Sequence, residues 1–109
     1  MKTEILYSDR FKKDIKKLFK KNRKIRAGID TLINTLKANP KAGTPLGNEC
    51  YKIRLKDSST NKGKSGGYRV ITYFIEGSFK IILLTIYSKS DKSNTNDNEI
   101  KAILTALKD

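Results

Sequence analysis

The chain has 109 residues, with 24 Lys and Arg against 11 Asp and Glu, a formal net charge of +13, and no histidine. Its length suits one domain with a modest core, and 37% hydrophobic with 32% charged residues is the composition of a soluble globular domain. The missing histidine excludes Ser-His and Cys-His nucleophilic sites and the paired-histidine mechanism of many ribonucleases, and the lone Cys50 excludes an internal disulfide and a cysteine-built zinc site.

Residues 3–7 read as a short first strand. The opening Met-Lys-Thr-Glu-Ile-Leu-Tyr lacks the extended apolar core and small-residue cleavage site of a signal peptide. Phe11, Ile15, Leu18 and Phe19 then form the stripe of an amphipathic helix, with Ser8 or Asp9 to cap its start. Ile25, Ile29, Leu32, Ile33 and Leu36 repeat the stripe in a second helix that stops near Asn39-Pro40, where proline forbids continuation. The few polar residues between the two predict an antiparallel helical hairpin.

Residues 41–49, holding Gly43, Pro45 and Gly47, read as a connecting loop. Three strands follow at about 50–56, 67–76 and 79–87, the last two joined through Glu76-Gly77-Ser78. The run Ile81-Ile82-Leu83-Leu84 is apolar on both faces and belongs inside the sheet; it is far too short to span a bilayer. After a polar stretch, Ile100, Ile103, Leu104 and Leu107 mark a short C-terminal helix, with Asn96 and Glu99 in the spacing of a capping box. The order β-α-α-β-β-β-α implies an α+β fold with a helical hairpin on an antiparallel sheet.

The charge is concentrated. Residues 10–26 carry ten Lys and Arg (Lys13 and Lys17 among them) with Asp14 the only acid, an excess of one sign that favours polyanion binding over a merely solvated helix face. In residues 50–56, apolar Tyr51, Ile53 and Leu55 alternate with basic Lys52, Arg54 and Lys56, which describes a strand with one apolar and one cationic face. The Gly-rich loop that follows displays Lys62 and Lys64. It is not a P-loop: Ser58 replaces the first glycine, and a strand rather than a helix comes next.

Across the hairpin, Arg69, Ile71 and Tyr73 are expected on the face of Lys52 and Arg54. A lysine among like charges is disfavoured as a cation and becomes a candidate general base, while an arginine clamps a phosphate whose charge grows in the transition state. The chemistry that fits is attack of an RNA 2′-hydroxyl on its own adjacent phosphodiester, with no metal and no histidine.

The helix pair ending at Asn39-Pro40, the strand Cys50-Tyr51-Lys52-Ile53-Arg54-Leu55, the hairpin Gly63-Lys64-Ser65-Gly66-Gly67-Tyr68-Arg69-Val70-Ile71 and the strand ending Ile86-Tyr87-Ser88-Lys89 together resemble bacterial RelE/HigB-type toxins of type II toxin–antitoxin pairs, in the RelE/ParE superfamily. The resemblance covers nearly the whole length. It implies a single RelE-like domain over 1–109, in which an N-terminal strand and helical hairpin pack on a mainly antiparallel four-stranded sheet beside a short C-terminal helix. It also implies a ribosome-dependent mRNA endoribonuclease of the cytoplasm, without cofactor or metal.

By position, Lys52 matches the family's strand lysine, the expected general base. Arg54 stands where some members have a second lysine, Arg69 matches the arginine on the scissile phosphate, and Lys89 falls in the basic segment that assists the leaving group. Two departures stand out: Ser90 follows Lys89 where some members place an arginine, and no tyrosine follows Tyr87. Tyr73 or Tyr87 is then left to stack on a base, and Lys89, Lys92 or Lys64 to act as general acid. Lys13, Lys17, Lys62, Lys64 and Lys92 are the expected further RNA contacts.

The implied partners are a cognate antitoxin protein, the 70S ribosome and mRNA, with no membrane, the toxin being monomeric alone or part of a hetero-oligomer. Two other functions share the fold or the charge: a ParE-like toxin that poisons DNA gyrase, and a non-catalytic RNA- or ribosome-binding module.

Overall fold

The structure, a computed structural model, describes residues 3–55, 67–89 and 97–107. Its elements run β1 (Glu4–Tyr7), α1 (Asp9–Lys21), α2 (Ile25–Ala38), β2 (Thr44–Gly47), β3 (Cys50–Leu55), β4 (Tyr68–Ile75), β5 (Lys80–Ser88) and α3 (Asp97–Leu107). One sheet of order β1-β5-β4-β3-β2 joins all five strands. β1 pairs with β5 in parallel, and every other neighbouring pair is antiparallel.

The expected α+β architecture is present, with one correction: the sheet has five strands, not four. The additional strand, β2, lies inside the stretch expected to be loop. Thr44-Pro45-Leu46-Gly47 carries no alternating pattern and contains a proline, which a strand tolerates at a sheet edge, where its missing N–H leaves no ladder bond unmade. The edge is where β2 sits, with a register shift between Pro45 and Gly47.

Ser8 caps α1 and anchors it to the sheet. Its Oγ accepts from the Phe11 N–H at 2.9 Å and donates to the Leu84 carbonyl at 2.6 Å, both bonds buried. Asn22, after α1, donates through Nδ2 to the Tyr68 hydroxyl at 3.1 Å and so ties the helical turn to β4. α2 ends at Ala38, one residue before Asn39-Pro40, as the proline dictates.

Phe11, Ile25, Leu32 and Leu36 of the helical hairpin pack against Leu55, Val70, Leu83 and Ile86 on one sheet face. Ile100 and Ile103 of α3 pack on the other face against Cys50, Ile71, Leu84 and Tyr87. The molecule is thus three layers, with the sheet between the helical hairpin and α3. β4 and the Ile81–Leu84 run of β5 are covered from both sides, which is why they read as apolar without alternation. Asn96 of the expected capping box lies outside the described residues. Among the described residues, no helix is long and apolar enough to cross a membrane.

Candidate functional site

The register of β3 against β4 sets the cationic residues side by side. Arg54 lies directly opposite Arg69, Lys52 opposite Ile71, and Cys50 opposite Tyr73. On the far side of β4, Arg69 faces Tyr87 of β5. Cross-strand partners share a face, so Lys52, Arg54, Arg69, Ile71, Tyr73 and Tyr87 occupy one side of the sheet, the side that receives α3. The Lys89 N–H donates to the Gly67 carbonyl at 3.0 Å, which places Lys89 one step beyond, at the Arg54–Arg69 end of the hairpin.

Arg69 is the unexpected member. The strand pattern suggests a displayed cation, yet it is only 5% exposed, whereas Arg54 is exposed and Lys52 half-buried. Its Nη1 donates to the Tyr68 carbonyl at 3.1 Å, and its buried Nη2 has no hydrogen-bond partner among the described residues. Burial pushes the guanidinium pKa below its ordinary value, the Arg54 cation pushes it further, and Tyr87 acts in the opposite sense. Arginine nonetheless keeps its proton, so the protein holds a buried, incompletely bonded cation against a second one. A buried donor left unmade costs about 1–3 kcal/mol, and like charges directly opposed on a sheet add to it. One anion between the two guanidiniums relieves both costs.

Cys50 sits on the same face, 1% exposed, its Sγ donating weakly to the Asn48 carbonyl at 3.6 Å. Burial, and secondarily the Glu49 charge, raises its pKa from 9.0 to about 11, which rules against a thiolate nucleophile. The folded pKa lies above the unfolded one, so the unfolded chain loses this proton first as pH rises. The stability associated with the neutral thiol is therefore complete below about pH 9 and is lost towards about pH 11. Urea unfolding across that window is expected to give a steeper fall in stability for wild type than for Cys50→Ala.

The remaining candidates are distributed as follows. Tyr73, four residues from Arg69 and so roughly 13 Å along the strand, is half-buried in an open groove of about 810 Å³ with Asn48, Glu49, Lys101 and Leu104. Tyr87 is buried at 9% exposure in the cluster formed with α3, so its ring is packed rather than presented. Lys13 and Lys17 are exposed on α1 beside Lys16 and Lys20, in the helical layer rather than on the face of Arg69. Lys62, Lys64 and Lys92 lie outside the described residues. Among the described residues, no cluster of three or more Cys, Asp or Glu is placed to hold a metal.

Two contributors have no motif in the sequence. Asp14, the one acid of the basic segment, accepts a 2.6 Å bond from Thr85 Oγ1 and pairs with Arg10 Nε at 3.2 Å, locking the cationic helix to β5. Its isolation among cations is the only hint the sequence offers. Gly43, before β2, approaches the Lys52 backbone closely and looks like any loop glycine until the pairing is seen.

A family model described as the ParE toxin of the type II toxin–antitoxin system, parDE, matches residues 5–92. A free-state mutant of the E. coli toxin RelE superposes with a TM-score of 0.60 at 18% identity, over 85% of this chain and 90% of that one. The toxin-antitoxin complex RelBE of E. coli also matches, with a TM-score of 0.59 at 21% identity, over 77% of this chain and 93% of that one. At such identities the two structures speak for a shared RelE-like fold. With the family model spanning most of the sequence, the chain belongs to the ParE toxin family of type II toxin–antitoxin systems, within the RelE/ParE superfamily.

Proposed function

We propose that this toxin is a metal-independent endoribonuclease that cuts mRNA on the ribosome by attack of a 2′-hydroxyl on the adjacent phosphodiester. The observation that carries this reading is the buried Arg69, with Nη2 unpartnered among the described residues, opposed to Arg54 and diagonal to Lys52 on one sheet face. The scissile phosphate supplies the missing anion, Arg69 and Arg54 stabilise the charge that develops on it, and Lys52 removes the 2′-hydroxyl proton. Lys89, at the same end of the hairpin, is the leading described candidate to protonate the leaving 5′-oxygen. The exposed lysines of α1 add contacts to the RNA backbone that position the protein without reading sequence. A net charge of +13 also calls for an acidic antitoxin to hold the toxin when it is idle.

The second reading is a gyrase poison, favoured by the name of the family model itself. Poisoning by protein contact needs no Lys52, Arg54 and Arg69 constellation. Programmed ribosomes incubated with wild type and with Arg69→Ala, followed by primer extension, separate the two. Cuts in the decoding site that vanish in Arg69→Ala support the ribonuclease. No cuts, with inhibited gyrase supercoiling and growth arrest persisting in the mutant, would overturn it.

A further inference from the structure

Gly43, just before β2, runs close against the main chain of β3 at Lys52. Its φ is +104°, and a Cβ there would lie 2.5 Å from the Lys52 carbonyl oxygen, 3.0 Å from the Lys52 carbonyl carbon and 3.3 Å from the Ile53 Cα. All three are main-chain atoms, so none can swing aside as a side chain would. The next residue, Thr44, opens β2 and pairs with Lys52. Lys52 is therefore held on both flanks, by Thr44 of β2 and Ile71 of β4. Arg54 is paired with β4 alone, because the β2 register stops at Lys52. Gly47, at the other end of β2, has a similar φ of +87° but nothing within 4 Å of its Cβ.

We infer that Gly43, with the Thr44–Lys52 pairing it permits, is a positioning device for Lys52. The missing side chain lets the chain close on β3 at the Lys52 carbonyl, and that approach sets where the Lys52 ammonium stands relative to Arg69. The inference rests on the reading of Lys52 as the general base, and it makes a flexible-looking loop part of the reaction geometry. Glycine is required here for two separate reasons, its φ and the space, whereas Gly47 answers only to the first.

The test compares Gly43→Ala, Gly47→Ala and Lys52→Met. Each is followed by urea midpoint, by amide chemical shifts, by ribosome affinity and by single-turnover cleavage of mRNA on programmed ribosomes. The urea midpoint should fall in both glycine variants, since both strain a positive φ. Only Gly43→Ala should shift the Lys52 and Ile53 amides and slow cleavage roughly 10²-fold at unchanged ribosome affinity, the scale of a misplacement of about 1 Å. If Gly43→Ala cleaves as fast as Gly47→Ala while Lys52→Met is inactive, the positioning role is overturned and the base assignment stands. If Lys52→Met cleaves like wild type, the base assignment itself fails, and the positioning role with it. Should Gly43→Ala not fold, Thr44→Gly loosens β2 without adding an atom. A several-fold loss of rate at wild-type affinity then supports the inference, and a wild-type rate overturns it.

Discussion

Arg69→Met is expected to raise the stability of the fold while destroying its activity. The arginine is buried, bonded through Nη1 to one carbonyl and, among the described residues, unpartnered at Nη2, and it faces Arg54 across the ladder. Methionine keeps an unbranched, flexible stem, shorter than arginine's, without the charge or the unmade bond. Relief of one buried unsatisfied donor is worth about 1–2 kcal/mol, read as a higher urea midpoint. Cleavage on programmed ribosomes should fall roughly 10²–10³-fold, the cost of removing one preorganised donor from a developing oxyanion. Because the two effects have opposite signs, a folding defect cannot imitate them. A variant that loses stability and activity together would make Arg69 a structural residue.

Lys52→Met carries the other large effect. Removal of a positioned base costs roughly 10²–10⁴ in the chemical step. Lys52→Arg supplies a permanent cation that cannot accept the proton, so it should retain ribosome binding and lose cleavage to the same extent. The residual rate of Lys52→Met should climb log-linearly with pH as hydroxide takes over the missing role. Near-wild-type cleavage in Lys52→Arg would assign the residue to charge stabilisation and move the base elsewhere on the face.

The elements with strong periodicity were legible from the residues alone. The α1 and α2 stripes, the Asn39-Pro40 stop and the three long strands appear within a residue or two of their expected limits. The pairing of Lys52 and Arg54 with the β4 face was also legible, because a period of two leaves no other way to share a face. Three features were not. β2 is hidden because an edge strand with a proline and a glycine has no signature apart from its partner. The landing place of α3 is hidden because an apolar helical stripe says that a face is buried, not against which side of a sheet. The burial of Arg69 is hidden because alternation along a strand tells which face a residue takes, not how deeply that face is covered.

The bond from Ser8 to Leu84 spans 76 residues, and among the described residues β1 has only β5 as a strand neighbour. β1 therefore waits for the synthesis of β5, and the sheet closes only then rather than progressively. Topologies of this kind fold slowly, since the loop must be closed before the contact can repay it. At about 5–20 residues per second, several seconds pass in which the basic helix exists without the sheet that organises the Arg69 face. For a toxin of a toxin–antitoxin pair, that delay gives an antitoxin time to meet the nascent basic helix before the Arg69 face is assembled.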